Sequence, residues 1–312
     1  MADWTAFAAI TGVVLALLLV LSTLTQSAFE DADLDTDSSA DAESGSETDS
    51  VDSIPEREST TPETPTPGES AVSARESDDA TTGLENSADE SAEPTVRERP
   101  RAGDRRVDPE SLTTGTVLAN VAASQGLFAL VLLGAVVYTG IPADALGIEF
   151  SQSYLERGLL LGTVFGLALY VANELGAATA TRFGFDHDEQ LRELLAPESV
   201  QGWLVLLGVV LPIIAVFEEL LFRAALIGTL SVGFGLSPWL LAVVSSVAFA
   251  VGHGMQGSVG IVVTGVLGFV LAAIYVVTGS FLVVVVAHYL VNALEFLVHE
   301  GLEFEWAETL ES

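Results

Sequence analysis

Cysteine is absent from the 312 residues, and so is lysine, since all 11 basic residues are arginine. The first absence excludes disulfides, thiolate nucleophiles and cysteine-ligated zinc. Any chemistry must then rest on carboxylates, imidazoles, hydroxyls or amides. The second absence, beside 43 acidic residues and a net charge of −32, argues against nucleic acid as a partner. So acidic a chain is also expected to work in a high-salt cytoplasm. Screening lengths of about 3 Å at 1 M, against about 10 Å at 0.1 M, suppress its self-repulsion there.

Half of the residues are nevertheless apolar and the mean hydropathy is +0.50, so charge and hydrophobicity must be segregated along the chain. They are. An apolar run from Trp4 to Leu24 is followed by an acidic, Ser/Thr/Pro-rich tract, and several hydrophobic segments then extend to Val298. The tract holds too few large apolar residues to offset the entropy of folding and reads as a solvated spacer. The expected fold is all-α: a polytopic transmembrane helical bundle with a disordered acidic N-terminal linker. Its expected parts are a hydrophobic anchor at 1–28, the linker at 29–110, a membrane domain at 111–300 and an acidic tail at 301–312. The start, Met1 to Thr5, lacks a basic side chain and carries Asp3, which favours an uncleaved anchor over a signal peptide.

Spans are expected at Thr113 to Tyr138, Gly158 to Ala177, Val200 to Leu220, Pro238 to Val251, Gly257 to Val277 and Gly279 to Val298. Arg97, Arg99, Arg101, Arg105 and Arg106 precede the first of these, which places that end in the cytoplasm. The loop with Asp144, Glu149 and Glu156 then falls outside, and the loop with Arg182 and Arg192 inside. The expected location is the plasma membrane, multi-pass, with the lipid bilayer as partner. The apolar stretch from Val200 runs on to Leu230 and contains Pro212, so a kinked, tilted or partly re-entrant helix is expected there. Gly257, Gly260, Thr264 and Gly268 form a small-residue ridge that suits close helix packing.

That same stretch holds Glu218, Glu219 and Arg223. Each charge would cost roughly 2.5 to 3.5 kcal/mol on insertion unless paired or hydrated. Glu219 and Arg223 are four apart and share a helix face, where they can pair; Glu218 is rotated about 100° away and needs another partner. A carboxylate without a local cation in a low-dielectric site suits general acid or base work. Later segments add Phe249 and His253, which end one span, and His288 and Asn292, which share a face of the last. Singly these are common pairs; in successive apolar segments they form the polar set of a hydrolytic site. Asn173 and Glu174 are read as interfacial, His187 as a solvent-exposed loop residue and His299 as lying beyond the last span.

In the order and spacing of Glu-Glu-x-x-x-Arg (Glu218, Glu219, Arg223), Phe-x-x-x-His (Phe249, His253) and His-x-x-x-Asn (His288, Asn292), the sequence resembles the CPBP family of intramembrane endopeptidases. That family includes the type II CAAX prenyl proteases and bacteriocin-immunity relatives. The resemblance covers Thr113 to Val298 and implies a helical bundle around a hydrated cavity. It implies that Glu218 activates water and His253 orients it, that His288 and Asn292 stabilise the oxyanion, and that Glu219 and Arg223, with Phe249, support them. The substrate would be a membrane-associated protein or peptide, with CAAX-type C-terminal tails as one class. Members are commonly labelled metalloproteases, and Glu218, His253 and His288 would be the zinc set; the metal-free glutamate mechanism is the preferred reading, with no cofactor. Two other classes stay open: a non-catalytic binding, scaffold or immunity protein using the same polar core, and a small transporter relaying protons through buried acids.

Overall fold

The computed structural model describes residues 1–44, 114–182, 192, 195–254 and 257–302, and it contains helices and no strand among them. Met1–Ser39 and Asp108–Ser312 belong to one compact unit; of the second, Ala40–Val107, only the helical residues 40–44 are described. The helices are α1 (Trp4–Ser44), α2 (Thr114–Thr139), α3 (Gln152–Arg182), α4 (Val200–Phe234), α5 (Pro238–Gly252), α6 (Gly257–Thr278) and α7 (Phe281–Gly301). Six of them carry a stretch long and apolar enough to cross a membrane, and α5, with 15 residues, is shorter. Helix is what such sequences must form in lipid, because an unpaired backbone group there has no water to bond.

Several boundaries differ from expectation. The apolar, membrane-length part of α1 is Trp4–Thr25, and the helix continues beyond it to Ser44, since lengthening a nucleated helix carries no second nucleation cost. The rest of the expected linker, 45–110, lies outside the described residues, as do His187 and the acidic tail beyond Leu302. The largest difference is α4, which runs unbroken to Phe234 rather than ending near Leu220. Pro212 does not interrupt it. A π-helical turn, Leu206–Val210, ends one residue short of the proline and accommodates its missing N–H, and a second π segment, Leu220–Thr229, follows Glu219.

The frame is built from close helix contacts at glycine. Gly158, Gly162 and Gly166, four apart on α3, lie against Leu282, Val286 and Leu290 of α7 so tightly that none has room for a Cβ. This small-xxx-small seam fixes the helix that carries His288. On α6 the expected ridge is used in part: Gly268 lies against Phe249 of α5, and Gly265 beside it faces Ala250. Helix α1 docks on the same body. Its Asp3 N–H donates to Thr139 O, Trp4 covers Gly233, and Phe7 and Val14 join the buried cluster of Phe217, Phe222 and Phe249.

Candidate active site

The hairpin of α4 and α5 brings Glu218 and His253 level. Glu218 stands sixteen residues before Phe234, and His253 fifteen residues after Pro238, so the two antiparallel segments reach equal depth. Helix α7 adds His288, and three helices thereby converge on one carboxylate. His253 Nε2 lies 3.8 Å from Glu218 Oε1 and His288 Nε2 lies 3.5 Å from Glu218 Oε2. Glu218 Oε2 is buried and has no hydrogen-bond partner.

Each imidazole is held from behind. His253 Nδ1 is 2.8 Å from the Phe249 carbonyl, and His288 Nδ1 is 2.7 Å from Glu219 Oε1. A carbonyl can only accept, so His253 Nδ1–H must donate to Phe249 O, and by the same argument His288 Nδ1–H donates to the carboxylate. In the neutral rings Nε2 is then a lone-pair nitrogen. Both therefore present acceptors to a carboxylate that also only accepts, an arrangement that a hydrogen-bond donor or a cation lying among them would satisfy. Access is one-sided: the His253 side chain is 27% exposed, whereas those of Glu218 and His288 are 8% and 5%.

Beneath this layer Glu219 and Arg223 form the pair that their spacing predicts. Arg223 Nη1 donates to Glu219 Oε1 at 2.9 Å and Nη2 donates to Gly268 O at 2.8 Å, both within the buried core. One carboxylate oxygen thus receives both the guanidinium and the His288 ring. Arg223 also sits 4.7 Å above the Phe249 ring, a cation–π contact in a desolvated place. Phe249 is the hub of the arrangement, with ring centroids 4.4 Å from His253, 6.2 Å from His288 and 5.0 Å from Phe222. Gly268 must be small here, because a Cβ would lie 2.9 Å from the Phe249 ring.

The structure thus brings together Glu218, Glu219, Arg223, Phe249, His253 and His288. Asn292 follows His288 by one turn on α7 and is half-buried. Glu218, His253 and His288, the alternative zinc set, meet at this same point, though among the described residues no group of three or more His, Asp or Glu side chains is already spaced as a metal site.

Sequence reasoning missed a second polar cluster. His299, expected beyond the last span, lies inside the π-helical end of α7 and bonds Glu174 of α3 at 2.9 Å. Asn173 donates to Glu295, and Arg192 pairs with Glu295 and Glu300. Glu174, read as interfacial, is in fact 4% exposed. The Glu174–His299 and Asn173–Glu295 contacts join the end of α3 to that of α7, and partners 125 and 122 positions apart gave no signal in one dimension.

Residues 200–294 match the family model described as type II CAAX prenyl endopeptidase Rce1-like, a stretch that holds all three motifs. No curated protein matches the chain, and no solved structure does. With its motif residues gathered around Glu218, the chain carries at residues 200–294 a domain of the CPBP/CAAX protease family.

Proposed function

We propose that this protein is an intramembrane endopeptidase that hydrolyses a peptide bond in a membrane-associated protein or peptide, with Glu218 as the general base. The observation that carries this reading is the convergence of three acceptors, Glu218 and the Nε2 atoms of His253 and His288, at 3.5 and 3.8 Å. A water among them donates to Glu218 and His253 and is aimed by both. It attacks the scissile carbonyl carbon as Glu218 takes its proton. Glu218 Oε2 faces His288 Nε2, to which the proton can pass, and the doubly protonated ring then offers Nε2–H to the oxyanion. The Asn292 amide is a second donor one turn along α7. Collapse of the tetrahedral intermediate breaks the C–N bond and returns the proton to the leaving amine.

CAAX-type C-terminal tails are the substrate class suggested by the family description. The orientation that fits the arginine distribution puts the ends of the chain segments near Arg97–Arg106 and Arg192 in the cytoplasm of a plasma-membrane protein. The test compares membranes from cells expressing wild type or Glu218→Gln at equal level and native salt, by mass spectrometry of protein termini. New termini at C-terminal tails or beside membrane segments, present only with wild type, are expected. Identical termini from two folded proteins would transfer the polar core to a binding or scaffold role.

A further inference from the structure

Helix α1 lies outside the matched domain at residues 200–294, yet it touches the site's supports at several levels. Phe7 and Val14 belong to the buried cluster that contains Phe217, Phe222 and Phe249. Further along α1, the side chains of Leu18 and Leu19 lie against Gly252, and the Ser22 hydroxyl donates to the Gly252 carbonyl at 2.8 Å. This bond differs from its neighbours. Thr23, Thr25 and Ser27 donate to Val20, Leu21 and Leu24 of their own helix, which is how hydroxyls in an apolar helix commonly satisfy themselves. Ser22 reaches across 230 positions of sequence to another helix.

The carbonyl it reaches is at a sensitive place. A helix leaves its last carbonyls without internal donors, and Gly252 is the last residue of α5. The next residue is His253, which has left helical geometry at φ −107 and ψ 25 and whose N–H donates to Ala250 O. The direction of the His253 ring is therefore set by a single terminal turn, held from one side by Phe249 O and from the other by Ser22.

We infer that Ser22 is a positioning residue of the site: by capping the Gly252 carbonyl it fixes the final turn of α5 and holds His253 Nε2 towards Glu218. The anchor helix then does more than tether the chain, since it completes the wall on which the water-orienting imidazole rests. This inference rests on the proposed peptidase reading for its catalytic consequence, while the clamp itself is a structural claim with its own readout.

The experiment uses full-length protein in nanodiscs, with Ser22→Ala, Ser22→Thr, Glu218→Gln and, as control, Thr25→Ala, whose hydroxyl bonds only within α1. Amide hydrogen exchange over 249–254 reads the clamp without any substrate. An internally quenched farnesylated peptide reads cleavage. A net interhelical hydrogen bond of about 0.6 to 1 kcal/mol corresponds to roughly a three- to fivefold change. Ser22→Ala is thus expected to raise exchange at His253 by that factor and to lower kcat similarly at constant KM, with Ser22→Thr restoring both and Thr25→Ala changing neither. Unchanged exchange in Ser22→Ala overturns the clamp, and faster exchange with unaltered kcat overturns the positioning of His253. If wild type cleaves the peptide no better than Glu218→Gln, the peptidase reading fails for this substrate, and the exchange result still supports or overturns the clamp by itself.

Discussion

Glu219→Gln is the substitution on which the buried layer makes its sharpest demand. One oxygen, Glu219 Oε1, accepts both from Arg223 at 2.9 Å and from His288 at 2.7 Å, and the side chain has no exposure. Glutamine preserves the shape but removes the charge and adds two N–H donors. They would stand where Oε2 now lies, a buried position without a partner. The guanidinium keeps Gly268 O and the face of Phe249 but loses its paired anion. Removing one member of a buried ion pair costs about 3 to 5 kcal/mol, because the other charge is left uncompensated. For a domain of this size that lowers Tm by roughly 6 to 20 °C.

The catalytic effect has a separate cause. An amide can present either its oxygen or its nitrogen to His288 Nδ1, so the ring is no longer confined to the tautomer whose Nε2 faces Glu218 with a lone pair. Where a carboxylate behind a catalytic histidine is replaced by an amide in a serine-protease triad, kcat falls about 10⁴-fold for this reason. A loss of at least about 10²-fold is expected here. Arg223→Met combined with Glu219→Gln separates the two effects: removing the guanidinium together with its anion leaves no uncompensated charge and recovers part of the stability, with a coupling of up to roughly 3 kcal/mol in the double-mutant cycle, while turnover stays low. Thermal unfolding in detergent and cleavage of the quenched peptide are the assays. A Glu219→Gln protein that melts within about 2 °C of wild type and turns over normally would refute the argument.

Two further outcomes follow from packing and from the donor set. Gly166→Ala is expected to cost about 1 to 3 kcal/mol and to reduce activity. Its Cβ would sit 2.9 Å from Leu290 and 3.1 Å from Ala287, the neighbour of His288, whereas Gly176→Ala, with nothing within 4 Å, should be neutral in the same melting and cleavage assays. Exhaustive chelation is expected to leave cleavage unchanged; inactivation reversed by added zinc would refute the metal-free mechanism.

The pairings within a helix were legible in the sequence because the α-helical repeat brings residues four apart onto one face: Glu219 with Arg223 is found as its spacing predicts. The meeting of Glu218 with His253 could be read only through the family resemblance. Linear counting that ends the span at Leu220 leaves Glu218 at the wrong depth, and only the continuation of α4 to Phe234 aligns it with the short α5. That continuation depends on π turns, and π geometry has no signature in a hydrophobicity pattern read at 3.6 residues per turn. The seam of Gly158, Gly162 and Gly166 is spaced as plainly as the ridge on α6, but spacing alone does not say which helix a small face meets. Likewise Glu174 and His299 are separated by 125 positions, and each becomes the other's partner only once α3 lies along α7.

The irregular helix and the polar site are two aspects of one solution. A π segment and a proline each disturb the bonding of backbone carbonyls, which lipid cannot satisfy. Here Leu220, Leu221, Phe222, Arg223, Ala224 and Ala225 are all at most 1% exposed, so the disturbed backbone faces protein. Hydroxyls take up its carbonyls: Ser245 of α5 donates to Phe222 O and Thr229 donates to Ala225 O. The enclosing helices that make this possible are also the ones that deliver the histidines, since α5 carries His253 and α7 carries His288. A regular α4 in contact with lipid would leave Glu218, Glu219 and Arg223 at the insertion cost of roughly 2.5 to 3.5 kcal/mol each. Surrounding them with partners requires a helix long enough for its middle, rather than its end, to be the meeting point.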